Sequence, residues 1–193
     1  MVIEEGGAPR RQLLGGAGSV LTAAAAVALA GCGQKAHVPR QAVKQAPPHI
    51  QRRDVAILNA ALALERRTVA AYTAGIPLLD HPDQKAAKQF LNEELQHTGE
   101  LLALIKAAGG IAPPRADSYE IGHPRGGAGV LALLHELERA QIAGYVKAIP
   151  KLSPGPVRAA VASILANDAQ HIAIIRIAQG LTPVPSAFVT GNE

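Results

Sequence analysis

Cysteine, aromatic side chains and charge are all scarce in this sequence of 193 residues. Its single cysteine excludes an internal disulfide framework and any zinc or iron–sulfur site that needs several thiolates. Aromatic residues make up 3% of the chain, and the net charge of +4 is not gathered into a block of Lys and Arg, which argues against nucleic-acid binding. Hydrophobic residues make up 48%, chiefly Ala, Leu, Ile and Val without alternating strand patterns, and this predicts a helical core.

Residues 1–31 have the pattern of an export signal. Arg10 and Arg11 precede an uncharged, alanine-rich segment that ends in the tetrapeptide 29–32, Leu-Ala-Gly-Cys. The Arg pair resembles a twin-arginine signal, with the general secretion route as the alternative, and the tetrapeptide resembles a bacterial lipobox. The segment is too weakly hydrophobic to favour a permanent transmembrane helix. We therefore expect cleavage before Cys32, lipid attached to its thiol, and a protein anchored to the outer face of a bacterial membrane.

The composition divides the rest of the chain into three parts. Residues 32–52 are polar and contain prolines, as expected for a tether between the lipid and a folded domain. Residues 53–182 carry four segments of helical period, and residues 183–193 form a short C-terminal tail. The predicted helices span 54–74, 82–108, 128–148 and 156–179. Gly75 and Gly109 are placed where a left-handed residue would end a helix.

The two halves of the domain repeat each other. Residues of the first half recur in the second with an offset of 73 or 74: Glu65 as Glu138, Tyr72 as Tyr145, Ile76-Pro77 as Ile149-Pro150, Glu94 as Asp168, and His97 as His171. Short loops within each half make its two helices antiparallel neighbours, whereas the long link 109–127 can run the length of a helix of about 33 Å. The sequence therefore predicts an all-α fold, a four-helix bundle of two repeated hairpins joined by a long crossover.

Each predicted helix has one carboxylate near the middle of its apolar stripe, and two helices add a histidine three residues later. These residues are Glu65, Glu94, His97, Glu138, Asp168 and His171. Residues at i and i+3 share a helix face, so each carboxylate–histidine pair can bind one ion. Four buried carboxylates need either protons or cations, because each buried ion costs several kcal/mol. Two divalent ions would balance the four charges, and the mixed donors favour iron, manganese or zinc over calcium.

This ligand pattern resembles the ferritin-like di-iron carboxylate superfamily, which includes rubrerythrins and bacterioferritins. The resemblance covers roughly residues 53–180. It implies a ferritin-like bundle in which the six residues bind two metal ions, preferably iron, with manganese or zinc as alternatives. By the family's usual asymmetry Glu94 and Glu138 would bridge the ions, although the residues leave the bridging pair open. Asp168 stands where the family usually has Glu, and its shorter side chain puts full occupancy of the second site in question.

Three further residues are candidates for supporting positions around the metals. Tyr72 and Tyr145 resemble the tyrosine beside the metal site in such proteins, and the alternative is a core tyrosine whose hydroxyl bonds a neighbour. His135 lies one turn before Glu138 and is a candidate supporting or substitute ligand, with a packed core histidine as the simpler interpretation. Glu93 is predicted to face solvent.

The resemblance implies an oxidoreductase that oxidises Fe(II) with O₂ or peroxide, or that reduces peroxide. Two alternatives remain open: a non-catalytic bundle at the cell surface that holds metal or binds a partner, and a metal-free scaffold whose polar residues hydrogen-bond each other. The expected partners are the membrane, through the lipid on Cys32, and O₂ or peroxide as a small substrate. A homodimer is also left open.

Overall fold

The computed structural model describes residues 51–193, and within this range the chain forms four α-helices and no strand. The predicted export signal at Arg10 and Arg11, the lipidation of Cys32 and almost all of the tether lie outside the described residues. The all-helical fold is confirmed, and each helix begins and ends within two residues of its predicted bounds. The helices are α1 Asp54–Gly75, α2 His81–Ala107, α3 Gly126–Ala148 and α4 Pro156–Ala178.

The internal repeat is visible in the connections. A 3₁₀ turn, Ile76–Leu78, follows α1, and an equivalent turn, Ile149–Lys151, follows α3. Each turn begins with Ile-Pro, and proline suits a helical first turn because its missing N–H would have no partner there. Asp80 then caps α2 by accepting a hydrogen bond from the backbone N–H of Asp83 at 3.4 Å. Each half is therefore an antiparallel hairpin with the same Ile-Pro turn, although α4 begins after Gly155 without a side-chain cap.

The crossover between α2 and α3 runs along α1, which supplies side chains that hydrogen-bond its backbone. Asn59 donates to the carbonyl of Ile111 at 3.3 Å, and Arg66 donates to the carbonyl of Pro113 at 2.7 Å. Arg67, one residue further, donates to the carbonyl of Glu120 at 2.9 Å. These bonds satisfy backbone carbonyls that have no helix or sheet partner. Within residues 51–193, every helix falls short of the length or hydrophobicity that a membrane crossing requires.

The core consists of two apolar clusters at the two ends of the bundle. One contains Leu58, Leu62, Leu101, Leu104, Ile105, Val157, Val161 and Ile164. The other contains Tyr72, Ile76, Phe90, Val130, Leu134, Leu137 and Ile175. Along α1, the segment between these clusters carries Glu65 at its centre. Apolar packing on both sides thus keeps water away from the middle of the bundle.

The prediction that Gly75 ends α1 in a left-handed conformation is wrong. Its φ is −83°, and the helix continues directly into the 3₁₀ turn. A Cβ at Gly75 would lie 2.6 Å from Cγ1 of Val130 on α3. The glycine therefore allows α1 and α3 to approach closely. Gly109, with φ of +70°, does adopt the predicted left-handed conformation after α2.

Gly75→Ala is expected to destabilise the fold by about 1–3 kcal/mol, because the added methyl overlaps the stiff, β-branched side chain of Val130. Gly99 is the matched control, since it is exposed in the interior of α2 and nothing lies within 4 Å of a Cβ built there. Gly99→Ala is expected to stabilise the protein by about 0.5–1 kcal/mol through helix propensity. Denaturant unfolding of both variants measures the difference, and a Gly75→Ala variant as stable as Gly99→Ala would contradict the packing argument.

Candidate metal centre

The structure brings all six predicted ligand residues together in the middle of the bundle, one carboxylate from each helix. Glu65, Glu94, Glu138 and Asp168 are fully buried, with no exposed surface. His171 is buried to the same extent, and His97 is 8% exposed. The alternating 4-3 spacing of the apolar stripes places each of these side chains on the inward face of its helix. The cluster is therefore formed by contributions from all four helices.

The six side chains form two groups of candidate ligand atoms, and within each group the atoms lie within 4.8 Å of one another. In the first group, Nδ1 of His97 lies 3.6 Å from Oε2 of Glu65 and 3.4 Å from Oδ1 of Asp168. In the second group, Nδ1 of His171 lies 3.2 Å from Oε1 of Glu94 and 3.3 Å from Oε1 of Glu138. Asp168 also belongs to this second group.

Asp168 is common to the two groups, and Glu94 of the second group also approaches the histidine of the first; we call these two the shared carboxylates. Asp168 belongs to both, and Oε1 of Glu94 lies 3.8 Å from Nδ1 of His97 as well as 3.2 Å from that of His171. Glu65 lies beside His97, and Glu138 lies beside His171. Both carboxylates lie near the two imidazoles because α2 and α4 each carry a carboxylate and a histidine. The expectation that Glu94 and Glu138 bridge two ions stays a prediction.

Tyr72 and Tyr145 donate hydrogen bonds to the two unshared carboxylates, each across the interface between α1 and α3. The hydroxyl of Tyr72 lies 2.6 Å from Oε1 of Glu138, and that of Tyr145 donates to Oε1 of Glu65. Burial and the neighbouring carboxylates raise the pKa of both tyrosines well above the usual value, so both remain protonated donors. Tyr145 thereby leaves Oε2 of Glu65 to face His97. Glu138 instead contacts His171 through Oε1, the same oxygen that Tyr72 bonds.

His135 does not join the cluster. Its Nε2 lies 3.4 Å from a guanidinium nitrogen of Arg176 on α4, and its Nδ1 lies 3.9 Å from exposed Glu136. Leu134 occupies the core position of this turn, with 1% of its surface exposed, and His135 lies beside it. The rotation of α3 about its own axis therefore places His135 against Arg176.

Two residues that touch the candidate ligands were not predicted from the sequence. Glu93 was expected to face solvent, which is wrong, because its Oε2 lies 2.7 Å from Nε2 of His171. Gln141 donates to Oε2 of Glu94 at 3.0 Å and accepts from the hydroxyl of Thr68 at 2.9 Å. A signal for Gln141 did exist, since Gln141 and Thr68 follow repeat-related glutamates by three residues and so share their helix faces. No comparable signal marks Glu93.

Without ions, protons must offset part of the negative charge. Burial, with the negative charges of Glu138 and Glu65, raises the pKa of both Glu94 and Asp168 well above the usual range. Burial lowers the pKa of His171, but hydrogen bonds to Glu138 and Glu94 outweigh it and raise the pKa to about 11. Burial also raises the pKa of Glu65, yet hydrogen bonds from His97, Glu94 and Tyr145 together bring it below the usual value.

Several buried donor and acceptor atoms of the cluster lack a hydrogen bond of normal geometry. They are Oε2 of Glu65, Oε1 of Glu94, Nδ1 of His97, Oε2 of Glu138, both Oδ atoms of Asp168, and Nδ1 of His171. Leaving such atoms unsatisfied costs about 1–3 kcal/mol each, and native structures rarely do so without a reason. Carboxylate oxygens and imidazole nitrogens are the donors that iron, manganese and zinc accept. The buried cluster is therefore compatible with binding metal ions.

Metal-free Glu94→Gln protein is expected to gain stability relative to the wild type as the pH rises from 5 to 8. The raised pKa of Glu94 means that the folded state holds its proton more tightly than the unfolded state does. The stability that this proton adds to the folded state is fully present below about 4.3, the pKa of Glu in the unfolded chain. It falls by about 1.4 kcal/mol per pH unit as the pH rises from there toward the pKa of Glu94 in the folded state. Gln has no such proton to lose. Chemical unfolding in the presence of a chelator measures the difference.

Glu100→Gln is the control for that experiment, because Glu100 is exposed on the same helix. Its unfolding free energy should follow the wild-type pH profile. A constant difference between Glu94→Gln and the wild type across this pH range would show that the carboxyl group of Glu94 is not perturbed by folding.

Comparisons with known proteins agree with this geometry. The chain is similar in fold to the crystal structure of a conserved hypothetical protein from Mycobacterium tuberculosis, with a TM-score of 0.62 and 20% sequence identity, over 70% of this chain and 96% of that one. At this identity the likeness shows the fold alone. No curated protein sequence gives a significant match. The model of the ferritin-like domain family matches residues 53–181, which include all four helices and the whole cluster, and the chain therefore belongs to the ferritin-like domain family.

Proposed function

We propose that this chain is an exported, membrane-anchored ferritin-like protein whose central cluster binds two metal ions, preferably iron. We further propose that it oxidises Fe(II) with O₂ or peroxide, or reduces peroxide. The observation that carries the proposal is the convergence of unsatisfied, buried oxygen and nitrogen atoms from all four helices. Two divalent ions would balance the four carboxylates with both histidines neutral, which removes the need for buried protons.

The surrounding residues support this use of the cluster. Tyr72 and Tyr145 hold the two unshared carboxylates, and Gln141 holds the shared Glu94. Carboxylates fixed in this way present their free oxygens to the centre without first having to reorganise. Bound ions would supply Lewis acidity and a route for electrons to an oxidant.

The proposed reaction with peroxide has a simple balance. Cleavage of the O–O bond of one peroxide molecule to give two water molecules would need two electrons, one from each of two Fe(II) ions, and two protons. With metal bound, the carboxylates and both imidazoles would be ligands that carry no extra proton, so the two protons would come from solvent. The role of the chain is then to bring reductant and oxidant together at a buried cluster.

The predicted export signal and lipidation site support the same proposal. Arg10 and Arg11 favour a route that exports folded proteins, so the metal could be loaded before export, and Cys32 would then hold the domain at the membrane. The non-catalytic, metal-holding bundle remains the second candidate, because the same unsatisfied donor atoms support binding with or without turnover.

Purified protein supplied with Fe(II) under anaerobic conditions is expected to bind about two ions per chain, measured by elemental analysis. Glu65→Gln, which removes a charge but keeps the shape, should lose at least one ion. Glu100→Gln, on the exposed face of α2, should bind as the wild type does. A ligand present at one hundred times its Kd adds about 2.7 kcal/mol per site, so a chelator should lower the melting temperature of the wild type.

The oxidation step is tested by adding peroxide or O₂ to the ferrous protein and following near-ultraviolet absorbance. A rapid rise in this absorbance that occurs in the wild type and is absent in Glu65→Gln would support the proposed oxidoreductase activity. Two bound ions without any reaction would favour the metal-holding bundle. A protein that binds no metal, with a melting temperature insensitive to chelator, would end the proposal in favour of a scaffold.

The anchor is tested separately by a substitution at the predicted lipidation site. Expressed in a bacterial host, the wild-type chain is expected in the membrane fraction, and Cys32→Ser is expected to lose both cleavage and lipid attachment. Incorporation of a labelled fatty acid distinguishes the two chains directly. Label on Cys32→Ser equal to that on the wild type would contradict the assignment of Cys32.

A further inference from the structure

The two histidines of the cluster are held in different ways, although the repeat makes them equivalent in sequence. The ring of His171 stacks on Phe90, with ring centroids 4.3 Å apart and an angle of 28° between the planes. Its Nε2 lies 2.7 Å from Oε2 of Glu93, and its side chain is 1% exposed. An imidazole that donates through Nε2 to a carboxylate presents the lone pair of Nδ1 to a metal and is a more basic ligand.

His97 has neither of these supports. Its side chain is 10% exposed and lines a cleft of about 650 Å³ between α2 and α4. Among residues 51–193, the carboxylates within 4.0 Å of His97 all contact Nδ1, which faces the cluster, and none contacts Nε2. The other residues that line this cleft include Gln96, Glu100, Ser163, Asn167 and Gln170. A polar passage thus reaches the His97 side of the cluster from solvent.

The repeat identifies the cause of this difference. Phe90 and Glu93, which hold His171, correspond at the offset of 74 to Ile164 and Asn167. Both of these residues line the cleft beside His97, where they supply no aromatic ring and no negative charge. The amide of Asn167 instead lies 3.5 Å from Oε2 of Glu93. The second half of the chain therefore lacks both of the groups with which the first half holds His171.

A second cleft, of about 510 Å³, borders Glu93 and His171. It does not give the same access, because the ring of His171 is almost fully covered and its outward nitrogen already bonds Glu93. Solvent access to a candidate ligand is thus concentrated at His97.

We infer that the two metal positions are unequal: the ion held by Glu138 and His171 is retained, whereas the ion held by Glu65 and His97 exchanges through the α2–α4 cleft, and Glu93 creates the difference. This inference rests on the proposed metal centre. Glu93 acts as a positioning residue, since it reaches the metal only through the imidazole of His171. The exchangeable position is where a substrate Fe(II) ion would arrive and leave.

The test measures the release of zinc from purified protein loaded with Zn(II), using an excess of a chromogenic chelator. Two phases of one ion per chain are expected, one fast and one slow. Glu65→Gln should remove the fast phase and Glu138→Gln the slow one, which assigns each phase to a position. Loss of a carboxylate behind a ligating histidine lowers metal affinity by about 10–100-fold. Glu93→Gln is therefore expected to accelerate the slow phase at least tenfold and to leave the fast phase unchanged.

Glu136→Gln, the same substitution at an exposed carboxylate of α3 that pairs with Arg139, is the matched control and should leave both rates within twofold of the wild type. Melting of each metal-free variant verifies that it folds, and a merely structural role of Glu93 would alter both phases together. Two ions released at a single rate, or equal acceleration of both phases by Glu93→Gln, would overturn the inference while leaving the metal centre intact. Failure of the wild type to bind two ions would instead overturn the proposed function, and this inference with it.

Discussion

Neutralisation of four carboxylates in a water-excluded bundle is the constraint on which the rest of this structure depends. Each of them is fully buried, and the two that lie between the histidines feel the charges of the other two. Burying an isolated charge costs several kcal/mol even after relaxation. The fold must therefore supply either protons or cations, and it places two imidazoles beside these carboxylates.

The arrangement around the cluster shows how the bundle limits that cost. Tyrosine hydroxyls and one glutamine amide satisfy one oxygen on each of Glu65, Glu138 and Glu94. Oε2 of Glu65, Oε1 of Glu94 and Oε2 of Glu138 are buried without a hydrogen bond, and apolar clusters pack at both ends of the bundle. A hydrogen-bonded scaffold would satisfy these atoms internally, as Thr68 and Gln141 do for one another. The atoms left over are those that an ion would use.

The duplication explains both the symmetry of the cluster and the departures from it. Tyr72 and Tyr145 make reciprocal bonds because each follows the glutamate of its own half by seven residues and α1 packs against α3, so each tyrosine reaches the glutamate of the other half. Elsewhere the halves have diverged: Glu94 faces the shorter Asp168, and Glu93 corresponds to Asn167. Asp168 nevertheless belongs to both ligand groups, so the loss of one methylene does not remove it from the centre. The differences between the halves change the groups that hold each imidazole. They leave all six candidate ligands in the centre of the bundle.

The sequence by itself determined the four helices, their pairing into hairpins, the long crossover and the six residues that meet at the centre. These features follow from local geometry, since a 4-3 spacing defines one face of a helix, and a short loop allows only an antiparallel neighbour. Only the tertiary structure decided which carboxylates are shared, that Glu93 bonds His171, that His135 packs on Arg176, and that Gly75 serves a helix contact. Each of these depends on the rotation and separation of packed helices. Side chains at the border of a helix face can turn either way, and contacts with the neighbouring helix decide which.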